Sequence, residues 1–223
     1  MINIKEDEYL SKINHSCAHV LAQAVRHLYP EAKFWVGPVI EEGFYYDIDL
    51  EGKTLTNEDL EKISKEMKKI IKDGKRIIRH EITKSEALEM FASDPYKIDL
   101  INNMADDETI SCYSQGDFTD LCRGPHADTV KECKYFKLLK FSGAYYKGDS
   151  KNKMLQRIYG VCFKTEEELN NHLQELEEAK ERDHKKLGKE LGLFMLSEYG
   201  PGFPFWLPNG MTLRRILENF WYE

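Results

Sequence analysis

The first hydrophobic pattern in the chain is a helical spacing between Glu8 and Leu28, just before Pro30. Apolar residues recur there every three or four positions, at Ile13, Cys17, Val20, Leu21, Ala24 and Leu28. This period predicts an amphipathic helix that ends before the proline. His15 and His19 fall on the opposite side of that helix, so we expect both histidines to point away from the apolar stripe.

Further patterns predict strands and helices in mixed order. Alternating or β-branched runs predict strands at 34–40, 44–50, 76–82, 109–113, 117–122, 136–141 and 155–163. Helix starts are predicted at Thr56, in a segment that ends at Gly74, and at Thr83, in a shorter segment that ends near Asp94 and Pro95. Helices and hairpins in this order predict an α+β fold of two layers, in which helices pack on a mostly antiparallel sheet.

The chain becomes densely charged after Thr165. Thr165 and Glu168 form a capping-box pattern, which is followed by spaced leucines and then by alternating charges. Alternating charge along a helix is typical of an exposed segment, so we predict one long connector helix at 164–189. The connector separates a first domain at 1–163 from a terminal piece at 190–223 that is rich in turn formers and aromatic residues.

Composition limits the class of protein. With 223 residues, of which 41% are hydrophobic, the chain can bury a core and form one or two domains. No apolar run approaches the roughly 18 residues of a membrane span, and the first residues are charged where a signal peptide is apolar. We therefore expect a cytoplasmic protein with no membrane partner. Five cysteines without a Cys-x-x-Cys pair predict reduced thiols rather than a disulfide framework.

Charge is distributed unevenly along the chain. The net charge is −7, which argues against binding nucleic acid by bulk attraction. Residues 131–157 nevertheless contain eight cations and two anions, a local charge of +6, with aromatic residues interleaved. Such a stretch predicts a track for the phosphate groups of a nucleic acid, and the alternative is a face that is simply solvated.

Two histidine-containing motifs carry the chemistry. His15 and His19 lie four residues apart and therefore face the same side of a helix. Cys122 and His126 have the same spacing in Asp120-Leu-Cys-Arg-Gly-Pro-His126. Alternation along the strand places Asp120 beside Cys122, and the following turn can bring His126 back to them.

These residues leave three chemistries open. The first is a zinc site with a nearby carboxylate from Asp120, in which the ligands are His15, His19, Cys122 and His126. In the second, Cys122 is a nucleophile activated by a neighbouring histidine. In the third, the same groups hold a water molecule and polarise an ester carbonyl without a metal ion.

Six longer motifs occur in order along the chain. They are His15-Ser-Cys-Ala-His19, Gly37-Pro-Val-Ile40, Gly43-Phe-Tyr-Tyr-Asp47, Asp120-Leu-Cys-Arg-Gly-Pro-His126, Gly143-Ala-Tyr-Tyr-Lys-Gly-Asp149 and Lys153-Met-Leu-Gln-Arg-Ile-Tyr-Gly160. In this order they resemble the editing domain of bacterial threonyl-tRNA synthetases. The resemblance continues into the charged segment and the terminal piece. It implies an editing domain at 1–163, a connector at 164–189 and the first part of the aminoacylation domain at 190–223.

The resemblance implies post-transfer editing, in which the ester of seryl-tRNA(Thr) is hydrolysed after serine has been mistaken for threonine. One methyl group is worth roughly 1–3 kcal/mol of discrimination, so a second site that accepts only the smaller amino acid is needed. The implied catalytic residues are His15, Lys97 and Asp120. The implied substrate-binding residues are Tyr46, His19, Cys122 and His126.

The resemblance also implies cofactors and partners. Editing in this branch requires no cofactor, although zinc could occupy the histidine and cysteine set, and the partner is the acceptor end of tRNA(Thr). ATP and the catalytic zinc of the family belong to the part of the aminoacylation domain that this chain lacks, so we do not expect the chain to ligate threonine. The full-length enzyme is expected to be a homodimer through its class II core.

Two rival functions remain open. One is a non-enzymatic module that docks the acceptor end of tRNA or dimerises, with the histidines as relics. The other is a zinc hydrolase that acts on a different substrate. Lys97 and Asp120 favour the editing enzyme over the relic, because a docking module has no need of them beside the histidine pair.

Overall fold

The computed structural model describes residues 3–105 and 109–222. The chain divides into two compact units, Met1–Leu169 and Asn170–Glu223. The first unit holds every residue predicted for the site. The boundary between the units lies close to the predicted start of the connector, and the assignment of three domains remains a prediction.

Helices and antiparallel strands alternate through the described residues. The helices are α1 (Glu8–Leu28), α2 (Asn57–Asp73), α3 (Lys84–Met90), α4 (Pro95–Asn102), α5 (Glu166–Glu181), α6 (His184–Glu190) and α7 (Pro208–Tyr222). The strands are β1 (Lys33–Phe34), β2 (Val39–Ile40), β3 (Gly43–Asp49), β4 (Ile77–Ile82), β5 (Ile110–Gln115), β6 (Phe118–Leu121), β7 (Tyr135–Tyr145), β8 (Met154–Phe163), β9 (Phe194–Leu196) and β10 (Pro204–Trp206). The predicted α+β class is confirmed. No helix among the described residues is long and apolar enough to cross a membrane.

The first unit contains two sheets where one was predicted. A five-stranded sheet has the order β1-β3-β8-β7, with β2 also paired to β3, and a three-stranded sheet has the order β4-β5-β6. Helix α1 packs on β3 and β8, and α2 packs on α1. Side chains elsewhere on α1 hydrogen-bond to the three-stranded sheet, as Gln23 does with Gln115 at 3.0 Å. The consecutive residues 16–25 of α1 are therefore all buried.

Asn14 joins α1 to the five-stranded sheet through a buried side chain. Its Nδ2 donates to the carbonyl oxygen of Cys162 at 2.8 Å, and its Oδ1 accepts from the amide of Cys162 at 2.9 Å. Nδ2 also donates to the carbonyl of Leu10 at 2.8 Å. An amide that satisfies both backbone groups of one strand residue sets the rotation of the helix above that strand.

The helix ends in the first unit follow from capping chemistry. The side chain of Asp7 accepts from the amide of Leu10 at the start of α1, and Thr56 and Thr83 begin α2 and α3 with the predicted capping boxes. Helix α2 ends at Gly74, which has a φ of 65° in the left-handed region that favours glycine. These predicted boundaries are confirmed.

The first predicted hairpin strand is interrupted. The segment 34–40 forms only the short strands β1 and β2, because Pro38 has no amide to donate and Gly37 lies directly against the ring of Tyr46. The intervening backbone still pairs with β3, since the amide of Trp35 donates to the carbonyl of Asp47 at 3.0 Å. Tyr46 of β3 is buried, with 1% of its surface exposed.

Helix α4 is missing from the sequence-based prediction, which ended a helix near Asp94 and Pro95. Proline is favoured in the first turn of a helix, where its missing amide has no partner in any case. Asp94 caps this helix by accepting from the amides of Tyr96 and Lys97. The Asp-Pro pair therefore begins a second helix here instead of ending the first, and it places Lys97 in the first turn.

The predicted single connector helix is wrong, because the segment forms two helices. Helix α5 ends at Glu181, and Asp183 begins α6 by accepting from the amides of Lys185 and Lys186 at 2.8 and 2.9 Å. Within the second unit, β9 and β10 form an antiparallel hairpin before α7. The aspartate that divides the connector is itself a strong helix-starting residue.

Candidate active site

The structure brings the seven predicted site residues together from five segments of the first unit. Four of them form an imidazole–thiol group, which consists of His15 and His19 from α1 and Cys122 and His126 from the loop after β6. The other three form an ion-pair group, which consists of Tyr46 from β3, Lys97 from α4 and Asp120 from β6. The two groups adjoin, because His19 Nε2 lies 3.8 Å from Asp120 Oδ2.

The imidazole–thiol group is compact. Cys122 Sγ lies 3.2 Å from His15 Nε2 and 3.1 Å from His126 Nε2. The rings of His15 and His126 stack with their centres 4.2 Å apart, and the ring of His19 lies at the same distance from that of His126. His19 does not face solvent, because the second sheet and its following loop cover that side of the helix and leave His19 only 2% exposed, while His15 is half-buried.

Hydrogen bonds on the outer ring nitrogens fix the tautomers of two histidines. His15 Nδ1 lies 3.2 Å from the carbonyl of Pro125, which can only accept, so His15 carries its proton on Nδ1. Ser16 Oγ donates to the carbonyl of Lys12 and lies 3.2 Å from His126 Nδ1, so that nitrogen donates to Ser16. Both Nε2 lone pairs therefore point at the sulfur of Cys122.

Ser16 is a supporting residue that sequence reasoning missed. In addition to its contact with His126, its Oγ accepts from the amide of Ala127 at 2.8 Å and so ties the loop after β6 to α1. The sequence feature that could have identified Ser16 is its position between the two predicted site histidines, in His15-Ser-Cys-Ala-His19.

Burial keeps this group neutral. Burial lowers the pKa of His15, and it lowers the pKa values of His19 and His126 well below their ordinary value, with a further contribution from the neighbouring imidazoles. Burial raises the pKa of the Cys122 thiol to about 12. The site therefore presents uncharged imidazole nitrogens at neutral pH.

The imidazole–thiol group fits a thiophilic cation such as zinc. The four candidate ligand atoms all lie within 4.8 Å of one another. His19 Nδ1 is buried without a hydrogen-bond partner, as expected of a nitrogen available to a ligand. Metal-binding histidines generally donate their other ring N–H to a carbonyl or a similar acceptor, as His15 does here.

The ion-pair group is buried beside it. Lys97 Nζ lies 2.5 Å from Asp120 Oδ1, and each of the two side chains is 3% exposed. Lys97 Nζ also donates to the carbonyl of Trp35 at 3.0 Å and to Tyr46 Oη at 3.3 Å, while the Tyr46 hydroxyl donates to Asp120 Oδ2. Burial, and then the charge of Asp120, raises the pKa of Tyr46 well above its ordinary value. The tyrosine thus remains a hydrogen-bond donor.

Asp94 positions Lys97 and was also missed. Its Oδ1 accepts from the amide of Lys97 at 3.4 Å, and its Oδ2 accepts from the amide of Phe34 at 2.7 Å. One carboxylate thus ties the start of α4 to β1. The sequence feature that could have identified Asp94 is its position directly before Pro95, because an aspartate followed by a proline is typical of the start of a helix.

A cavity of about 160 Å³ lies beside the ion-pair group. Its lining includes Arg26, Phe34, Asp94, Lys97, Phe118 and Asp120. The guanidinium of Arg26 lies 4.8 Å from the centre of the Phe34 ring. A small amino acid fits a space of this size, whose lining combines charged side chains with phenylalanine rings.

The predicted phosphate track is shorter than 131–157, because ion pairs engage the cations at its far end. Arg157 makes a bidentate pair with Asp47 at 2.6 and 2.8 Å. Lys147 pairs with Asp99 at 2.7 Å, and Lys153 pairs with a buried carboxylate of β3. This end of the segment is therefore neutralised by carboxylates that its linear sequence does not contain.

The near end of the segment faces lysines of α2 instead. Two cavities of about 440 and 360 Å³ share Lys68 and lie between α2 and β7 or the turn before β7. We name this the lysine groove after its exposed cations, Lys65, Lys68, Lys72, Lys131, Lys134 and Lys137. Its floor includes Ile71 and Phe136, and one acid, Glu61, lines it.

The neutral histidines predict a loss of stability in mild acid. Below the unfolded pKa near 6.5, the unfolded chain binds protons that the folded site rejects, so the free energy of unfolding falls as the pH decreases. Each such histidine contributes a slope of about 1.4 kcal/mol per pH unit. His27 acts in the opposite direction, because its hydrogen bonds to Glu66 and Asp117 raise its pKa against the effect of burial.

The measurement is urea unfolding of the metal-free protein at pH 7.0, 6.0 and 5.0. In the variant His19→Phe, the free energy of unfolding is expected to change less steeply with pH than in the parent. The difference in slope should correspond to about one bound proton, or about 1.4 kcal/mol per pH unit. The exposed His80 of β4 supplies the control, and His80→Gln is expected to keep the parent slope. An unchanged slope in His19→Phe would show that His19 does not reject a proton in the folded site.

Known proteins match this chain along its whole length. Residues 110–159, which include Asp120, Cys122 and His126, match the family model for the threonyl and alanyl tRNA synthetase second additional domain. Threonine--tRNA ligase of Clostridium tetani (strain Massachusetts / E88) is 53% identical over 225 residues, which cover 100% of this chain and 35% of that protein. Threonine--tRNA ligase of Geobacillus sp. (strain WCH70) is 54% identical over 216 residues, 96% of this chain and 33% of that protein.

A third relative, threonine--tRNA ligase of Halalkalibacterium halodurans, is 54% identical over 225 residues, which cover 99% of this chain and 35% of that protein. The chain thus spans about a third of the length of the relatives that it matches. The resemblance drawn from the motifs is confirmed. Along its whole length the chain is thus similar to about a third of threonine--tRNA ligase, and its residues 110–159 match the threonyl and alanyl tRNA synthetase second additional domain.

Proposed function

We propose that this chain hydrolyses the aminoacyl ester of seryl-tRNA(Thr), as the editing part of a threonyl-tRNA synthetase. The observation that carries the proposal is the buried ion pair of Lys97 and Asp120 at the wall of a small cavity, with uncharged imidazoles beside it. A buried ion pair is weak evidence for stability, and such pairs in clefts are candidates for function. The family supports the substrate class, because its members are named for tRNA.

The reaction is an addition of water to the ester carbonyl. Asp120 accepts the proton of the attacking water, His15 is assigned the positioning of that water, and the ammonium of Lys97 stabilises the negative charge that develops on the carbonyl oxygen. The bond to the terminal ribose then breaks, and the ribose oxygen regains a proton. The products are serine and uncharged tRNA.

No cofactor is required in this proposal. When a cation is bound by the imidazole–thiol group, it supplies Lewis acid chemistry to the carbonyl or to a water molecule. The residues of this chain still provide the ion pair, the small cavity and the exclusion of bulk water. A metal-dependent hydrolase is therefore the alternative that the experiment must separate.

The proposed selectivity for serine depends on one methyl group. Threonine exceeds serine by one methyl group, and a methylene in a hydrophobic pocket is worth about 10- to 200-fold in rate. We assign the exclusion of that methyl group to the rings of Phe34 and Phe118, which line the cavity beside Lys97 and Asp120. Seryl esters are therefore accepted and threonyl esters rejected.

The test compares deacylation of seryl-tRNA(Thr) and threonyl-tRNA(Thr), each with and without a strong chelator. The seryl ester is expected to be hydrolysed at least about tenfold faster, in line with the worth of one methyl group, and at the same rate with the chelator. Equal rates on both esters contradict the small-cavity mechanism. Loss of activity with the chelator, in a protein that contains stoichiometric zinc, shows a metal hydrolase instead.

The lysine groove is proposed as the surface that holds the tRNA backbone. Its six cations lie on α2, on β7 and on the turn before β7, and a single acid lines the groove with them, which makes it a concentrated positive region on a chain of net charge −7. Phosphate contacts by lysine release condensed counterions, so affinity depends steeply on salt even where the average charge is acidic.

Charge reversal in the lysine groove is expected to weaken tRNA binding without harming the chemistry. The triple variant Lys68→Glu, Lys134→Glu and Lys137→Glu should raise the apparent KM for seryl-tRNA(Thr). It should also reduce the slope of log affinity against log salt by about 2 to 3, since each phosphate contact contributes about 0.7–0.9. Hydrolysis of a short seryl ester should remain at the parent rate.

The control changes the same number of charges in the second unit. The triple variant Lys185→Glu, Lys186→Glu and Lys189→Glu replaces three exposed lysines of α6. It is expected to keep the parent salt slope. Equal effects of both triple variants would show that only the net charge matters, and the lysine groove would then have no special role.

A further inference from the structure

A second cluster of soft ligands lies in the core of the first unit, and the proposed hydrolysis does not use it. Cys17, Cys133 and Cys162 are each fully buried, and their sulfur atoms all lie within 4.8 Å of one another. They come from α1, from the 3-10 turn Val130–Cys133 and from β8. We name these residues the three-cysteine cluster.

The backbone around the cluster is well fixed. Asn14 binds both backbone groups of Cys162, which holds α1 against β8 beside Cys17. The Cys133 thiol lies 3.6 Å from the carbonyl of Ile13, one turn of helix before Cys17. The three sulfur atoms are thus placed by tertiary contacts before any ligand arrives, and preorganisation lowers the cost of binding.

Three sulfur ligands favour Cu(I) over zinc at this cluster. Among the described residues, no histidine, carboxylate or further thiol joins the three sulfurs. Zinc in structural sites takes four ligands, and full burial excludes water from a fourth position. Thiolates select soft ions, among which Cu(I) is monovalent and accepts low coordination numbers.

Distance agrees with Cu(I). Two thiolates on Cu(I) leave one negative charge in the core, the same as three thiolates on a divalent ion, so the number of ligands and not the charge selects the ion. Metal–thiolate bonds of about 2.3 Å join sulfurs that lie roughly 4 Å apart, which falls inside the observed limit. Binding forms Cu–S bonds to two thiolates and the remaining thiol and releases two thiol protons, and no electron is transferred.

Access to the cluster runs past exposed side chains. The hydroxyl of Tyr9 donates to Glu132 at 3.0 Å, and Lys164 pairs with Asp7 at 3.2 Å. Glu132 and Lys164 lie within two residues of Cys133 and Cys162 in the sequence. Exposed contacts of this kind contribute little stability, so the first turn of α1 can open locally while the core remains folded.

We propose that the three-cysteine cluster is a binding site for Cu(I), formed by the sulfur atoms of Cys17, Cys133 and Cys162. The site is separate from the imidazole–thiol group, which shares α1 with it but uses different residues. It does not depend on the proposed hydrolysis of seryl-tRNA(Thr).

The experiment titrates Cu(I) into the protein against a chromophoric Cu(I) chelator, without oxygen and with a reductant. The variant Cys122→Ala is used beside the parent, because it disables the imidazole–thiol group as a competing site. We expect the single variant Cys122→Ala to retain one Cu(I) per chain. The double variant Cys122→Ala with Cys162→Ala should retain less than about a tenth of that amount.

The control is the double variant Cys122→Ala with Cys112→Ala, which replaces a fully buried cysteine of β5 outside the three-cysteine cluster. It should retain as much Cu(I) as Cys122→Ala.

X-ray absorption on the copper-loaded Cys122→Ala protein keeps the proposal testable if the Cys162 variant does not fold. A first shell that contains only sulfur supports the three-cysteine cluster. A shell that contains nitrogen places the ion on histidines and overturns the proposal. Failure of Cys122→Ala to retain Cu(I), or undiminished retention in a folded Cys162 variant, also overturns it.

Discussion

Replacing Asp120 with asparagine is expected to slow the hydrolysis of seryl-tRNA(Thr) by about 10²- to 10⁴-fold, the usual range for a positioned acid–base group. The amide keeps the shape of the side chain, but it has no charge for Lys97 and no basic oxygen for a proton from water. In the parent protein, Asp120 meets Lys97 at 2.5 Å and also accepts from Tyr46. The measurement is the single-turnover rate with enzyme in excess over charged tRNA.

The matched control for this variant is Asp128→Asn. Asp128 is exposed and follows His126 by two residues, so the same chemical change is made close to the site but outside it. We expect Asp128→Asn to hydrolyse the ester at the parent rate. A rate for Asp120→Asn within about tenfold of the parent would show that the chemistry lies elsewhere, because it falls short of the range for acid–base groups.

Replacing Lys97 with methionine is expected to lower the free energy of unfolding by about 3–5 kcal/mol, since removal of one partner leaves the other charge buried and unpaired. Each of the two side chains is only 3% exposed, so water solvates the remaining charge incompletely. The double variant Lys97→Met with Asp120→Asn removes both charges and should regain most of the loss. Urea unfolding of the parent, both single variants and the double variant measures this coupling.

The double variant separates stability from catalysis. It should unfold near the parent concentration of urea and still fail to hydrolyse the ester. The comparison for Lys97→Met is Lys147→Met, which breaks a pair with Asp99 whose side chains are 46% and 37% exposed. Exposed pairs contribute at most about 1 kcal/mol, so this loss should be small. If Lys97→Met and Lys147→Met lower the free energy of unfolding equally, the ion pair of Lys97 with Asp120 does not behave as a buried pair.

The fold was most predictable where local chemistry decides the outcome. The limits of α1 and α2 follow from helical spacing and from caps at Asp7, Thr56 and Gly74, all of which act within one turn. Predictions failed where the same residue serves two local structures. Asp94 before Pro95 can follow one helix or begin another, and Asp183 interrupts a charge pattern that otherwise continues.

The candidate site was predictable in its members but not in its arrangement. Spacing identifies His15 and His19 as a pair, but it cannot show that a second sheet covers them and keeps them neutral. The track at 131–157 shows the same limit, because Arg157 is neutralised by Asp47, a residue 110 positions away. Partners that distant are set by tertiary packing, on which linear charge patterns carry no information.

The hydrogen bonds of Asn14 have a consequence for how the site is made during synthesis. Every residue of the site lies between 15 and 126, yet the helix that carries both histidines is held by Cys162, which is 148 positions after Asn14. A chain is made from its first residue onward, and contacts between distant positions form late. A nascent chain that ends before Cys162 therefore contains all seven site residues and lacks the contact that turns α1 towards the loop after β6. The candidate site is completed by a strand that contributes none of its seven residues.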